Sequence, residues 1–206
     1  FLSGCGASVP ALDSNLPGVG EVGIETTVEN FFGYLEDGDA SAAFRMSDLA
    51  ESGEFSEAPL LSGEVYASAG SRPELVEMGE IQIADDRARL DLRYKMGSSE
   101  FDAELSLLWI DEAAAAPAHY VVGLPTSEFG LSANGLEAIP DGSTFYIANV
   151  DVTAALRGAI ADEDASRVPA FGGVYSIHVV LPGDVEPSRV IMSEPTSFYG
   201  AELVGG

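Results

Sequence analysis

Cysteine is all but missing: the only one among 206 residues is Cys5. One thiol makes no intramolecular disulfide, no cysteine-based zinc site and no paired-cysteine redox centre. Positive charge is nearly as scarce, with nine lysines and arginines against 34 aspartates and glutamates and a formal net charge of −25. Such a surface repels phosphates and anionic headgroups, so nucleic acid is not an expected partner. No run of about 18 apolar residues occurs, so no stretch reads as a membrane-spanning helix. Also absent are a G-x-S-x-G nucleophile elbow, a Walker loop, an HExxH pair and a dinucleotide glycine fingerprint. Neither an enzyme nor a cofactor is therefore expected. What is present is a 46% apolar chain, enough to bury a sizeable core.

The position of the lone thiol is informative. Leu2, Ser3 and Gly4 before Cys5 put an aliphatic and two small residues ahead of the cysteine, which resembles the lipobox of bacterial lipoproteins. The resemblance implies that Phe1 to Gly4 end a signal peptide and that Cys5 carries the lipid. Two or more acyl chains hold a protein stably where one does not, so a single modified residue replaces a membrane span. The expected location is extracytoplasmic, on the outer face of the cell membrane. Residues 6–23, rich in Gly, Pro, Ser and Ala without apolar periodicity, read as a tether reaching at most about 60 Å, at about 3.3 Å per residue.

Folded elements are expected next. Val28, Phe31, Phe32 and Leu35 fall at helical spacing, with Thr26 or Thr27 as the cap and Gly38 as the stop. Asp39 reads as the N-cap of a second helix carrying Ala42, Ala43, Phe44 and Met46. Residues 74–112 alternate apolar and polar, with turn signals at Asp85-Asp86 and Gly97-Ser98-Ser99. Three strands follow: one with Ile81 and Ile83 on one face, one with Leu90, Leu92 and Tyr94, and one with Phe101, Ala103, Leu105, Leu107 and Trp109. The stretch HYVVGLP closes the set after an Ala-rich loop at 111–118. Helices followed by an antiparallel meander make an α+β layout.

The V-x-x-F-F-x-x-L helix, the G-D-x-x-x-A step (Gly38, Asp39, Ala43) and the later sheet resemble the NTF2-like cone fold of many secreted actinobacterial lipoproteins. The resemblance covers roughly residues 24–130, rests mostly on core positions, and implies N-terminal helices on a curved antiparallel sheet. That family holds isomerases and dehydratases as well as domains that only bind, and fold does not choose among them. Beyond Leu124-Pro125 the chain turns to short β-rich runs broken by Gly, Pro and Asp. A boundary near 130 and a small all-β domain over 131–206 are expected. Strands are anticipated around Phe145, Ile147, Val150 and Val152, and around Val174 to Leu181. The Phe171 to Tyr175 stretch resembles an F-P-G-x-Y element of β-sandwich modules that follow such cones, except that Gly172 stands where the proline should be. Tyr175 reads as a buried, hydrogen-bonded corner residue.

Candidate site residues are few. Tyr34, Tyr66, Tyr94, Asp102 and Trp109 are the side chains placed to line a cone cavity, as the resemblance implies. His119 and His178 sit in strands with no partner motif, and each reads as structural. The acidic runs Glu36-Asp37-Gly38-Asp39 and Asp162-Glu163-Asp164 lack calcium-loop spacing and read as solvated ends, so no metal is expected. Two roles are weighed. One is a lipid-anchored, non-catalytic envelope protein offering two small domains to a protein or wall component. The other is a carrier or sensor holding an apolar small molecule or lipid in the cone. Bulky inward residues such as Leu92, Leu105, Leu107 and Trp109 favour the first. A surface for self-association stays open.

Overall fold

The apolar stripe that builds the first helix starts one turn earlier than Val28. In the computed structural model, which describes residues 20–52, 58–110, 118–125, 129–134, 136–161 and 167–204, helix α1 runs over Gly20–Asp37. Ile24, Val28, Phe31, Phe32 and Leu35 are all buried along one face. Residues 20–23, expected in the tether, thus form the first turn of the helix. Thr27 lies inside α1 instead of capping it, its hydroxyl donating to the Gly23 carbonyl at 2.8 Å. Gly38 (φ +82°) stops the helix. The Asp39 carboxylate then accepts the Ala42 N–H at 2.9 Å and caps α2, Ala40–Arg45. Three short pieces follow: α3 (Asp48–Ser52), a 3₁₀ turn (Pro59–Leu61) and α4 (Gly63–Ala67), the last capped by Ser62.

The meander forms as its alternation requires. Strands β1 (Pro73–Ala84), β2 (Arg87–Met96), β3 (Ser99–Ile110) and β4 (His119–Gly123) make an antiparallel sheet in chain order. Two-residue turns join the first three, with Asp85 (φ 54°) and Gly97 (φ 60°) in the left-handed region. Ala88, Leu90, Leu92, Tyr94 and Met96 of β2 are buried on one face, with Tyr94 against Phe32 of α1, while Arg87, Arg89, Asp91 and Arg93 stand exposed on the other. Ile81 and Ile83 pair opposite Leu90 and Ala88, but at the sheet edge Ile83 stays exposed. Most of the Ala-rich loop, residues 111–117, and the acidic run at 162–164 lie outside the described residues.

The remainder contains β5 (Gly130–Ser132), β6 (Thr144–Ile147), β7 (Val150–Asp151), α5 (Thr153–Ala161), β8 (Arg167–Val168), β9 (Ser176–Val180), β10 (Arg189–Ser197) and β11 (Gly200–Val204). The strands form a second sheet in the order β7-β6-β9-β10-β11-β5-β8, with β11 and β5 parallel. Helix α5 corrects the all-β expectation for 131–206. Its signals are local: the Asp151 carboxylate accepts the Thr153 N–H at 2.9 Å, and Leu156 and Ala159 bury one face.

Nor does a boundary near 130 divide the interior into separate cores. The Gly70 N–H donates to the Val174 carbonyl at 2.9 Å. Phe31 of α1 meets Phe171 and Phe198 edge-on at 5.8 and 6.1 Å, and both sheets bury their inner residues in one continuous cluster. The described chain is α+β with a shared core.

Candidate functional site

Tyr94 is the centre of the region expected to be a cavity, and aromatic rings surround it. Its ring stacks on Phe101 at 5.3 Å and meets Phe198 edge-on at 5.6 Å, while Phe32 lies 5.4 Å from Phe198. Phe198 comes from the turn between β10 and β11 and is only 1% exposed. It therefore occupies the space between α1 and the inner face of the first sheet. Burial pushes the Tyr94 phenol up to about 12, an effect partly offset by the Phe198 backbone amide.

The other candidate pocket residues do not gather around it. Tyr34 is 40% exposed on the outer side of α1. Tyr66 is fully buried beside Phe171, at 5.9 Å between rings, and its hydroxyl has no hydrogen-bond partner among the described residues. Its ionisation is pushed up by burial, with Arg72 opposing. Asp102 lies on the opposite face of β3 from Phe101, exposed, and accepts from Arg93 Nε at 2.8 Å. Trp109 packs edge-on against Tyr120 at 4.9 Å. The set is thus divided between core and exterior and lines no single cavity. Cys5 lies outside the described residues.

Tyr175 takes the corner role expected of it. It is fully buried and its hydroxyl donates to the Phe171 carbonyl at 2.7 Å. Gly172 explains the missing proline: its N–H donates to the Phe198 carbonyl at 2.9 Å, and a Cβ there would overlap the Ser197 carbonyl oxygen.

Two open faces remain. On the outside of the first sheet, Arg93 bridges Asp102 and Glu77, Lys95 meets Glu74 at 2.6 Å, and Arg89 approaches Glu104 at 3.8 Å. These partners raise the Arg93 and Lys95 ionisations. A shallow groove of about 520 Å³ is lined by Glu77, Arg93, Asp102 and Glu104 of this face. On the second sheet, a groove of about 700 Å³ is lined by Thr144, Tyr146, Asn149, His178, Val180, Asp184, Val185 and Pro187. No motif in the sequence marks this second face. Alternation turns Tyr146, His178 and Val190 outward on their own strands, but only the register of β6, β9 and β10 sets them side by side. His119 begins β4 in the other sheet, so the two histidines serve different faces.

Among the described residues no three His, Cys, Asp or Glu side chains converge as a metal site, and no helix is long and apolar enough to cross a membrane. Fold and surfaces define a mixed α+β protein whose inner space is packed and whose two sheets each turn one face outward. The chain matches no protein-family model and no curated protein sequence.

Proposed function

We propose that this is a lipid-anchored, non-catalytic cell-envelope protein, held at the outer face of the cell membrane through Cys5, that engages a protein or wall component with its exterior faces. The observation that carries the reading is Phe198. Its ring, with Tyr94, Phe32 and Phe101, fills the inner face of the first sheet, where an NTF2-like enzyme or carrier would hold its ligand. Helices ahead of a four-stranded antiparallel meander support the NTF2-like cone reading for residues 24–130. The lipobox-like Leu2 to Cys5 stretch supports the anchor.

Crosslinking in intact cells of the source organism, followed by mass spectrometry, tests the role. An abundant crosslinked envelope protein or wall fragment is the expected product. A co-purifying apolar small molecule or lipid with no crosslinked partner overturns the reading in favour of a carrier. Fatty-acid labelling that survives Cys5→Ala overturns the anchor.

A further inference from the structure

The outward face of the second sheet combines exposed aliphatic groups with one sign of charge. Hydrogen-bonded register sets Asp151, Tyr146, His178 and Val190 in a row across β7, β6, β9 and β10. Thr144 and Val180 form the neighbouring row, and Met192 stands opposite Ser176 on the other side. The β9–β10 loop borders the groove and carries Val185, 96% exposed. Val190 and Met192 are 52% and 41% exposed. Exposed aliphatic groups collected on one face mark an interaction surface more often than scattered ones do. Tyr146 and His178 are half-buried in this row, and each brings a polar group to the groove wall.

Charge selects the occupant. Asp184 lines the groove, Glu186 lies exposed in the same loop, Asp151 closes one end of the row, and Glu194 follows Met192 on β10. The cations of this half are turned elsewhere. Arg157 is held by the Pro140 carbonyl and Asp141, and Arg167 by the Gly130 carbonyl and Glu202. Arg189 shares the Ile191 side of β10 by strand alternation, away from Val190. The rim is therefore acidic, and its complement is basic.

We infer that this groove docks a segment of a protein partner in which Lys and Arg flank an apolar side chain. The apolar group would pack on Val180, Val185 and Val190, and the flanking cations would meet Asp184, Glu186 and Asp151. This assignment deepens the proposed function and rests on it for the existence of a partner. Aliphatic walls favour a protein segment over a glycan, and the acidic rim disfavours anionic ligands.

The test titrates the full chain, isotopically labelled, with a Trp-Leu peptide flanked by Lys and Arg, and in parallel with the same core flanked by Glu. The basic peptide is expected to shift the amide signals of Tyr146, His178, Val180 and Val190, with binding that weakens as salt rises. Asp184→Lys and Val190→Lys, both at exposed positions, are each expected to weaken it at least tenfold. Equal response to both peptides, shifts confined to the first sheet, no shift at all, or insensitivity to both substitutions overturns the assignment. A partner crosslinked in cells through the outer face of β1–β3 would also overturn it while leaving the proposed function standing. Failure of the cell crosslinking itself would count against the proposed function, independently of the peptide result.

Discussion

Two tyrosine hydroxyls, buried to the same degree, should respond in opposite ways to removal. Tyr175 and Tyr66 are both fully buried and close enough for the Tyr66 charge to raise the Tyr175 ionisation further, after burial itself. Tyr175→Phe deletes the 2.7 Å bond to the Phe171 carbonyl and leaves that carbonyl without its partner inside the core. A net hydrogen bond is worth about 1 kcal/mol and an orphaned buried acceptor costs about 1–3 kcal/mol, so a loss of about 2 kcal/mol is expected. Tyr66→Phe removes a hydroxyl that no described residue accepts or donates to, while keeping the ring against Phe171. Because an unpaired buried hydroxyl is a cost of folding, that change should be neutral or stabilising by up to about 1 kcal/mol. Urea unfolding reads both. With a slope of about 2 kcal/mol per molar, Tyr175→Phe should lower the midpoint by about 1 M, and Tyr66→Phe should leave it unchanged or raise it. Equal losses at the two positions, with unchanged slopes, would contradict this difference in hydrogen bonding.

Other consequences follow from the same core. Phe198→Ala should cost about 3–5 kcal/mol by opening a cavity between α1 and the first sheet. Because the core is shared, tryptophan fluorescence from Trp109 and far-ultraviolet circular dichroism should then report one coincident unfolding transition. Separated transitions would mean two cores. Gly172→Ala should abolish soluble expression or strongly lower the melting temperature, because its Cβ has no room beside the Ser197 carbonyl; a melting curve like the parent's would contradict this. Asp39→Ala should cost about 1 kcal/mol in urea unfolding through the lost α2 cap. On the alkaline side, Tyr66, Tyr94 and Tyr175 all have ionisations raised by burial, Tyr94 to about 12. The stabilisation this represents is complete below pH about 10, where unfolded tyrosines begin to ionise, and is lost progressively above it. Ultraviolet titration should show these phenols ionising together with loss of circular dichroism; early ionisation in a folded protein would contradict their burial.

The features of this fold that were legible in sequence are those fixed by local periodicity. Val28, Phe31, Phe32 and Leu35 announce α1, Asp39 announces the cap of α2, and strict alternation in β2 separates Leu90, Leu92 and Tyr94 from Arg89 and Arg93. What was not legible depends on contacts between distant residues. Nothing in residues 24–130 shows that Phe198, some hundred positions past Tyr94, fills the space above it, so neither the shared core nor the filled cavity can be read from that stretch. Helix α5 is an intermediate case. Leu156 and Ala159 carry helical spacing, but the surrounding Gly and Asp and the neighbouring strands masked nine residues of helix. The docking groove was hidden for a different reason: Tyr146, His178 and Val190 become neighbours only once three strands are in register.

Charge placement links the two open faces. Four of the nine lysines and arginines, Arg87, Arg89, Arg93 and Lys95, fall on β2, between acidic strands on both sides. Exposed pairs of this kind add little stability each. Their value lies in register, because Arg93 stands directly opposite both Glu77 and Asp102, and Lys95 opposite Glu74. A slip of one residue would turn these cations into the core and Leu92 and Tyr94 out to solvent. In a chain at −25, cations used there are not available elsewhere. The second sheet's outer face consequently keeps its carboxylates unneutralised around Val185 and Val190, whereas the first presents a self-paired surface. Arg93→Glu separates these roles. It sets like charges opposite Glu77 and Asp102, so the melting temperature should fall. Binding of the Lys- and Arg-flanked peptide to the second sheet should hold or strengthen. A weakened peptide at an unchanged melting temperature would place the cation in recognition and overturn the division between the faces.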